Sequence, residues 1–395
     1  MARLEVTNRT GASQPFLRGI LTRSLQKAGL SFSDAYEIAS RVRENLESFE
    51  DVSTDQVRSE TASQLRSQYG LDVERGYSIA KRHPGWIQVR HPDGHAEWFS
   101  RNQHQRRLEI CGLPQEVAEQ LTQAIHNRLL KTHQSEINRG ELRDHTVDVL
   151  RTEAGDEFAA SYTAWHYFIR SGRPLIIMVG GTAGVGKSTV SAEISTRLNI
   201  TRSQSTDMLR EVMRTMVATQ LMPELHESSF EAWRALPDHH QFTEEMSRVI
   251  DGYHRQADLV EVAAEAVMQR AYREKVSLLL EGVHIRPSLV DKIPSETDAV
   301  VVQMMLGVLR KKQLQRQFRG RSSEAHDRRA QRYLDSFDAI WNLQTALLDE
   351  AKAADVPVLV NDNLDSALTR VMRTITAAVL ADSEKTTARK NRNTA

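Results

Sequence analysis

The sequence has little cysteine, no excess of charge of either sign and no long hydrophobic run. One cysteine, Cys111, occurs among 395 residues, which excludes an internal disulfide bond and a cysteine-rich metal site. Basic and acidic residues number 52 each, so the overall charge gives no reason to expect nucleic acid or a membrane surface as a partner. Residues 1–9 lack the apolar core of a signal peptide, and no run approaches the length of a membrane span. We therefore expect a cytoplasmic protein in a reducing compartment.

The chain is long enough to form more than one hydrophobic core. Apolar residues make up 40% and charged residues 26%, which is typical of a globular protein, and 395 residues suffice for two or three domains. Changes in pattern along the chain predict a first module over 1–82, a second module over 83–169, a larger domain over 170–380 and a disordered polar tail over 381–395.

The most specific pattern is a phosphate-loop motif. Residues 175–179 form an apolar run typical of a central parallel strand, and residues 181–188 fit G-x-x-x-x-G-K-[ST]. Glycines let backbone N–H groups surround phosphate oxygens, Lys187 can reach the β- and γ-phosphates, and the Ser188 hydroxyl can bind Mg²⁺. The alternative is a glycine-rich turn with an incidental lysine. The predicted cofactors are ATP and Mg²⁺, and the predicted nucleotide contacts are Gly181, Thr182, Ala183, Gly184, Val185, Gly186, Lys187, Ser188 and Thr189.

The segment before this loop contains an internal repeat. Two offsets relate its halves, 83 residues at first and 85 residues further on. Ordered matches of this kind indicate a duplicated module. Each copy begins with a small β-element, which in the second copy is a hairpin around 92–94, and continues as helices. The matched pairs include Val6 and Val89, Phe16 and Phe99, Val52 and Ile137, and Leu65 and Leu150.

The first copy resembles the ATP-cone, the nucleotide-binding regulatory module of ribonucleotide reductases. The residues that carry the resemblance are Asn8, Arg9, Gly11, Pro15 and Phe16, followed by three helical patterns. The second copy has His91 and Pro92 where a basic pair is usual. The resemblance implies a mostly helical tandem region that binds nucleotide. The alternative is a small helical domain that packs against the rest of the chain or mediates dimers.

Residues from 170 onward alternate between strand and helix patterns. Besides the strand before the loop, strands are expected at about 200–205, 276–280, 299–305 and 356–360. This alternation predicts an α/β fold with a doubly wound parallel sheet, as in P-loop NTPases. Ligands of such sheets bind at the carboxyl ends of the strands, so the polar residues that follow each strand are the site candidates.

Three such candidates follow the second strand. Asp207 stands where a carboxylate can orient an acceptor hydroxyl or hold Mg²⁺ through water, with a helix N-cap as the alternative. Arg210 and Arg214 share one face of the next helix and suit an acceptor that carries a phosphate or carboxylate, with a solvated face as the alternative. Ser228 and Ser229, further along, could line the acceptor pocket or cap a helix.

Two further candidates follow the third strand of the sequence. Glu281 occupies the place where a carboxylate assists Mg²⁺ binding, together with Ser188. His284 could contact the acceptor or bond to a loop carbonyl. The predicted substrate contacts are therefore Asp207, Arg210, Arg214 and His284.

The segment 310–332 is rich in basic residues. A lid whose arginines stabilise the charge of phosphoryl transfer is one interpretation, and Gly320 would let such a lid bend. A solvated helical face and a nucleic-acid surface are the alternatives, and the neutral total charge disfavours the second. The lid arginines of the hypothesis are Arg316, Arg319 and Arg321, and with Lys187 and Asp207 they complete the predicted catalytic set.

Five segments in this order resemble the 2-phosphoglycerate kinase family of archaea and bacteria. They are residues 180–189, 205–214, 225–229, 280–284 and 332–337. The resemblance implies an ATP-cone ahead of a P-loop kinase domain, and transfer of the ATP γ-phosphoryl group to the 3-hydroxyl of 2-phosphoglycerate. A P-loop kinase for another small anionic metabolite, and a non-enzymatic ATP sensor that controls a partner, stay open as alternatives. A homo-oligomer is possible.

Overall fold

The structure is a computed structural model in which the chain forms two compact units. It describes residues 4–7, 13–27, 30–49, 52–71, 73–74, 77, 87–131, 136–237, 245–294, 297–319 and 331–393. The N-terminal unit comprises Met1–Glu109 and Pro114–Ala159, and the C-terminal unit comprises Ile110–Leu113 and Ala160–Ala395. Every helix among the described residues is too short or too polar to serve as a transmembrane span.

The N-terminal unit contains two small sheets of the same topology. In each, the first strand pairs antiparallel with the second and parallel with the third. Val6 faces Val52 in one sheet, and Val89 faces Ile137 in the other, which are the residues that the sequence offsets match. The first sheet is β1 (Glu5–Thr7), β2 (Ser13–Pro15) and β3 (Val52–Ser53), and the second is β4 (Gln88–Arg90), β5 (Ala96–Trp98) and β6 (Glu136–Asn138).

Three described helices accompany each small sheet. The third helix of each set begins with the same capping box, formed by Ser53 with Gln56 and by Asn138 with Glu141. Leu25, from the first helix of its set, is fully buried in the core of the first module. The helices are α1 (Arg18–Lys27), α2 (Phe32–Leu46) and α3 (Thr54–Tyr69), then α4 (Arg101–Ile110), α5 (Gln115–Lys131) and α6 (Arg139–Glu153).

The C-terminal unit is built on a five-stranded parallel sheet, which confirms the predicted α/β class. The strand order is β11-β10-β7-β9-β8, and all residues of β7 are buried between its neighbours β10 and β9. Its apolar sequence matches this position because both faces of a central strand are covered. The strands are β7 (Leu175–Gly180), β8 (Arg202–Ser205), β9 (Leu278–Gly282), β10 (Val300–Gly307) and β11 (Val358–Val360).

Helices alternate with these strands along the chain. They are α7 (Asp156–Ser171), α8 (Lys187–Leu198), α9 (Thr206–Met216), α10 (Glu245–Arg273), α11 (Lys311–Arg319), α12 (Phe337–Ala353) and α13 (Leu364–Asn393). Short 3-10 helices cover Pro223–His226, Ala232–Ala235 and Pro287–Lys292.

The boundary between the units lies within α7, earlier than the boundary predicted at 169. Trp165 Nε1 donates to Thr376 Oγ1 at 3.1 Å, and that hydroxyl donates to Ile110 O at 2.9 Å. The second half of α7 is therefore tied to α13 within the C-terminal unit. The further division of the N-terminal unit at 82 stays a prediction.

The final helix extends beyond its expected end at 380. It continues to Asn393, through a segment for which a disordered tail was predicted. Lysine, glutamate, alanine and arginine in this segment are good helix formers, so low hydrophobicity alone does not prevent helix formation. Asp382 is also held in place, because Arg173 Nη1 donates to its Oδ2 at 2.6 Å.

Candidate active site

Polar residues gather where three neighbouring strands of the large sheet end. Glu281 is a residue of β9 and pairs in register with Val179 of β7 and Ser205 of β8. The loop that follows β7 and the first turn of α9 therefore lie on either side of this carboxylate. The carboxyl edge of a parallel sheet is where ligands of α/β proteins bind.

The loop 181–186, here called the glycine loop, has a backbone that two of its glycines make possible. Gly184 and Gly186 have φ angles of 86° and 88°, which side chains disfavour. A β-carbon would collide with the ring of Phe318 at Gly184 and with the amide of Asn361 at Gly186. Gly186 is also the N-cap of α8 and supplies no side-chain cap, so the positive end of the helix dipole points toward the loop.

Lys187 is folded back over the glycine loop. Its side chain is largely buried, at 7% exposure, and its Nζ donates to the carbonyl oxygen of Thr182 at 2.8 Å. An ammonium in this position adds a positive charge beside the N-terminus of α8. Both features favour an anion at the loop.

Ser188 and Glu281 form a pair of oxygen ligands next to the loop. Ser188 Oγ donates to Glu281 Oε1 at 3.0 Å, and Glu281 is buried. A hydroxyl and a carboxylate in contact fit Mg²⁺, which takes one or two protein oxygens and completes its shell with phosphate and water. The described residues contain no cluster of three or more histidine, cysteine or acidic groups suited to a metal ion.

Asp207 lies in the first turn of α9 and stays accessible. Its carboxylate is 59% exposed, and Oδ1 lies 3.8 Å from Nδ1 of His284. The N-cap of α9 is Ser205, whose Oγ accepts from the Asp207 backbone N–H at 3.3 Å. The Asp207 carboxylate is therefore not the cap of this helix, which leaves it available at the sheet edge.

His284 is buried, where the sequence suggested a contact with the acceptor. Only 1% of its surface is exposed, and its two ring nitrogens each lie 3.0 Å from a partner, Thr206 Oγ1 and Gln256 Oε1. Both nitrogens are thus engaged within the protein. The imidazole therefore has no free nitrogen for the predicted contact with the substrate.

Burial keeps the imidazole of His284 neutral. It lowers the pKa of His284 to about 4, and the nearby Asp207 carboxylate opposes only part of this shift. The positive charges of Arg210, Lys187 and Arg286 lower the pKa further.

The two arginines of α9 have different surroundings. Arg210 Nη1 donates to the backbone carbonyls of Leu225 and Glu227, each at 2.8 Å. Arg214 Nε pairs with Glu211 at 3.2 Å and is 40% exposed. Arg210 therefore holds the 3-10 segment, and an anion contact by either arginine stays a prediction.

A contact between Arg332 and the segment after this 3-10 helix joins two of the sequence motifs. Arg332 Nη2 donates to Ser228 Oγ at 2.8 Å, and Nε donates to Glu231 Oε2 at 3.1 Å. Ser228 Oγ in turn donates to the same carboxylate oxygen at 2.7 Å. Burial alone would raise the pKa of Glu231, but hydrogen bonds from Ser228 and Arg332 and the charge of Arg234 produce a net lowering.

The predicted lid begins with α11, which packs on the glycine loop. Leu314 and Phe318 are buried, and Phe318 stacks on Tyr333 with 5.2 Å between ring centroids. Arg316 and Arg319 lie on the exposed side of the helix. The remaining predicted lid residues, Gly320 and Arg321, lie outside the described residues.

A cavity of about 740 Å³ opens between α11 and the loop after β11. Asn361 connects this loop to the glycine loop, because its Nδ2 donates to Val185 O at 2.8 Å. Gln313 Nε2 donates to the carbonyls of Asn361 and Asp362 at 2.8 and 3.0 Å. The cavity therefore borders the glycine loop on the side away from Asp207.

Sequence reasoning missed Gln256, Glu231 and the bond between Asn361 and Val185. Gln256 is fully buried on α10, among the apolar positions Tyr253, Ala257 and Val260. A polar residue on the apolar face of an amphipathic helix was the available signal, since a buried amide requires partners.

The fold and the site define an α/β protein with an anion-directed loop and an oxygen-ligand pair at the edge of a parallel sheet. Several proteins to which this chain is similar are named 2-phosphoglycerate kinase. The relative from Pyrococcus furiosus is 31% identical over 277 residues, which cover 70% of this chain and 89% of the relative. The relative from Methanopyrus kandleri is 32% identical over 286 residues, covering 71% and 85%. The relative from Methanocaldococcus jannaschii is 31% identical over 279 residues, covering 70% and 87%.

The chain belongs to the 2-phosphoglycerate kinase family. No protein-family model matches it. The alignment covers a larger share of each of these three relatives than of this chain, so this chain is the longer in each pair.

Proposed function

We propose that this protein is a P-loop kinase that transfers the γ-phosphoryl group of ATP to the 3-hydroxyl of 2-phosphoglycerate, giving 2,3-bisphosphoglycerate and ADP. The observation that carries the proposal is the sheet edge itself. This edge brings together the glycine loop with Lys187, the Ser188–Glu281 pair and the accessible Asp207 carboxylate. Family membership supplies the acceptor.

The glycine loop holds the triphosphate of ATP in this proposal. Backbone N–H groups of the loop and of the first turn of α8 bind phosphate oxygens, and Lys187 binds the β- and γ-phosphates. The cavity between α11 and the loop after β11 takes the base and ribose. Ser188 and Glu281 would hold Mg²⁺, which neutralises charge on the phosphates when bound.

Asp207 orients the acceptor hydroxyl. The hydroxyl oxygen forms the new bond to the γ-phosphorus, and the bond from that phosphorus to the bridging oxygen of ADP breaks. The hydroxyl proton passes to the Asp207 carboxylate. Arg214 is exposed near the same helix face and can bind the existing charges of the acceptor, while Arg316 and Arg319, on the exposed side of α11, close over the transferred group and exclude water.

The test is a product assay with the full chain, ATP, Mg²⁺ and 2-phosphoglycerate, read by phosphorus NMR. We expect 2,3-bisphosphoglycerate, with little product from 3-phosphoglycerate or glycerate as matched acceptors. Transfer to a different anionic metabolite but not to 2-phosphoglycerate would keep the kinase and replace the acceptor. ATP binding without transfer to any acceptor would favour the ATP sensor.

The N-terminal unit is proposed to sense nucleotide through its first module. That module has a cavity of about 320 Å³ lined by Phe16, Leu17 and Ile20, whereas the equivalent cavity in the second module has about 20 Å³. The buried His104 stands in the second module where the first has Leu21. The first cavity therefore has room for a planar base, and the second does not.

Counting nucleotide sites on the full chain tests this second proposal. Titration calorimetry should find two ATP sites per chain, one at the glycine loop and one in the first module. Phe16→Ala should remove one site, and the matched variant Phe99→Ala should keep both. Equal losses in the two variants would contradict the assignment. A homo-oligomer and a cytoplasmic location stay predictions from the sequence.

A further inference from the structure

We propose that His284 is a positioning residue, whose two ring nitrogens tie the helix start that carries Asp207 to the 3-10 segment beside it. The inference rests on the proposed function, because it assigns Asp207 and this segment to the acceptor side. It adds a residue that touches neither substrate and acts through others.

A continuous chain of hydrogen bonds passes through the ring. Thr206 Oγ1 lies 3.0 Å from Nδ1, and Gln256 Oε1 lies 3.0 Å from Nε2. Gln256 Nε2 then donates to the backbone carbonyls of Glu224 and Glu227, the latter at 3.0 Å. The chain thus connects α9, the loop after β9, α10 and the 3-10 helix Pro223–His226.

The amide of Gln256 fixes the tautomer of the imidazole. Its nitrogen faces two carbonyl oxygens and must donate, so its oxygen accepts from His284 Nε2–H. Nδ1 then carries no proton and accepts from the Thr206 hydroxyl. Each polar atom along this chain of hydrogen bonds is therefore either a donor or an acceptor, and all the bonds from Thr206 to the 3-10 helix run in one direction.

Thr206 transmits this order to Asp207. The Thr206 side chain is fully buried and packs closely on Gly282. A β-carbon at position 282 would collide with the Thr206 hydroxyl. Gly282 follows Glu281 directly, so the Thr206 contact sets the spacing between the start of α9 and the end of β9. Asp207 and Glu281 are placed by the same contact.

The 3-10 segment at the other end of this chain of hydrogen bonds is held by two side chains. The carbonyl of Glu227 accepts from Arg210 Nη1 at 2.8 Å as well as from Gln256. Arg210 lies on α9 and Gln256 on α10, so the segment is fixed from two helices. Loss of the ring contact to Gln256 loosens one of these supports and leaves the other.

Two substitutions of His284 separate the two links. His284→Asn places an oxygen where Nδ1 lies and keeps the hydrogen bond from Thr206, but it loses the hydrogen bond to Gln256. His284→Gln places an amide nitrogen near Nε2 and keeps the bond to Gln256, but it loses Thr206. We expect His284→Gln to lower kcat about tenfold with little change in the KM for the acceptor, because Asp207 is displaced. We expect His284→Asn to raise the acceptor KM about tenfold with a smaller change in kcat.

Three controls accompany these variants. The KM for ATP should stay within about twofold in both, since the glycine loop is untouched. His254→Gln, a substitution on α10 at the ion pair with Glu350, should leave the kinetics unchanged. Thr206→Val should have the same kinetic effect as His284→Gln, and Thr206→Ser, which keeps the hydroxyl, should keep the wild-type activity. These variants keep the proposal testable if a His284 variant does not fold.

Equal effects of both His284 variants on kcat and on both KM values would show a purely structural role and overturn the proposal. Nitrogen NMR of the histidine-labelled wild type supplies a readout without turnover, and it should show the Nε2–H tautomer for the signal that His284→Gln removes. The opposite tautomer would also overturn it. Absence of any transfer by the wild type would instead reject the proposed function.

Discussion

The two sides of the candidate site are held in different ways. The glycine loop depends mainly on its own residues, because Lys187 bonds to a carbonyl 5 residues earlier and glycines supply the left-handed backbone. Asn361, which bonds to the Val185 carbonyl, is a support from a distant part of the chain. The acceptor side depends on contacts between residues that are distant in sequence: His284 and Thr206 are 78 positions apart, and Arg332 and Glu231 are 101 positions apart. A local structure tolerates change elsewhere, whereas a structure built from distant side chains loosens when one partner is lost.

The largest effect is expected from breaking the loop side at its cation. Lys187→Ala should lower phosphoryl transfer about a thousandfold, because a preorganised charge at the transferring phosphate is lost. The acceptor side should keep its structure in this variant. The measurement is kcat/KM for ATP, with Lys352→Ala on the exposed surface as the control. Full activity of Lys187→Ala would remove the assignment of the loop.

A smaller effect is expected from breaking the acceptor side at Arg332. Arg332→Ala leaves the buried Glu231 carboxylate with fewer partners, so the segment around Ser228 should loosen. We expect the KM for the acceptor to rise about tenfold while the KM for ATP stays unchanged. Arg255→Ala, which removes an exposed pair with Asp251, is the matched control. A rise in the KM for ATP instead would show that the two sides are not separable.

The smallest expected effect is a dependence of folding stability on pH, which arises on the acceptor side through the buried His284. Since the pKa of His284 is about 4 in the fold and 6.5 ordinarily, only the unfolded chain takes up this proton between those values. Stability should therefore fall as pH decreases from about 6.5 to 4, by at most about 1.4 kcal/mol per pH unit from this group. The contribution is constant above pH 6.5.

Thermal unfolding across this pH range tests the sign. The midpoint for His284→Gln should depend less on pH than that of the wild type. His104, whose pKa burial lowers to about 3, contributes a similar slope in the N-terminal unit and is unchanged in the variant. An identical pH dependence in wild type and variant would contradict a neutral His284.

The sequence predicted the sheet and the place of the site better than it predicted individual side chains. Apolar runs located four of the five strands of the large sheet, whereas β8 (Arg202–Ser205) is polar. The position at the end of a strand located Glu281 and Asp207, because parallel strands align their carboxyl ends. His284 also follows a strand, yet its ring turns inward. Position along the chain does not specify on which side of a loop a ring lies.

Two further differences have the same origin. Gln256 was overlooked because helix periodicity separates apolar from polar faces but does not find a partner for one buried amide. The segment after 380 was assigned by its polarity to a disordered tail, although its helix propensity and the pair between Arg173 and Asp382 favour the observed helix.

The sequence by itself determined the parallel sheet, the duplicated N-terminal module and the glycine loop, since each depends on short-range pattern: apolar runs, repeated spacing and residues that permit positive φ. Only the tertiary structure decided which polar side chains meet, and therefore that His284 faces Thr206 and Gln256 while Asp207 stays accessible. Hydrogen bonds act over about 3 Å and require alignment, so their partners are fixed only when distant elements have packed.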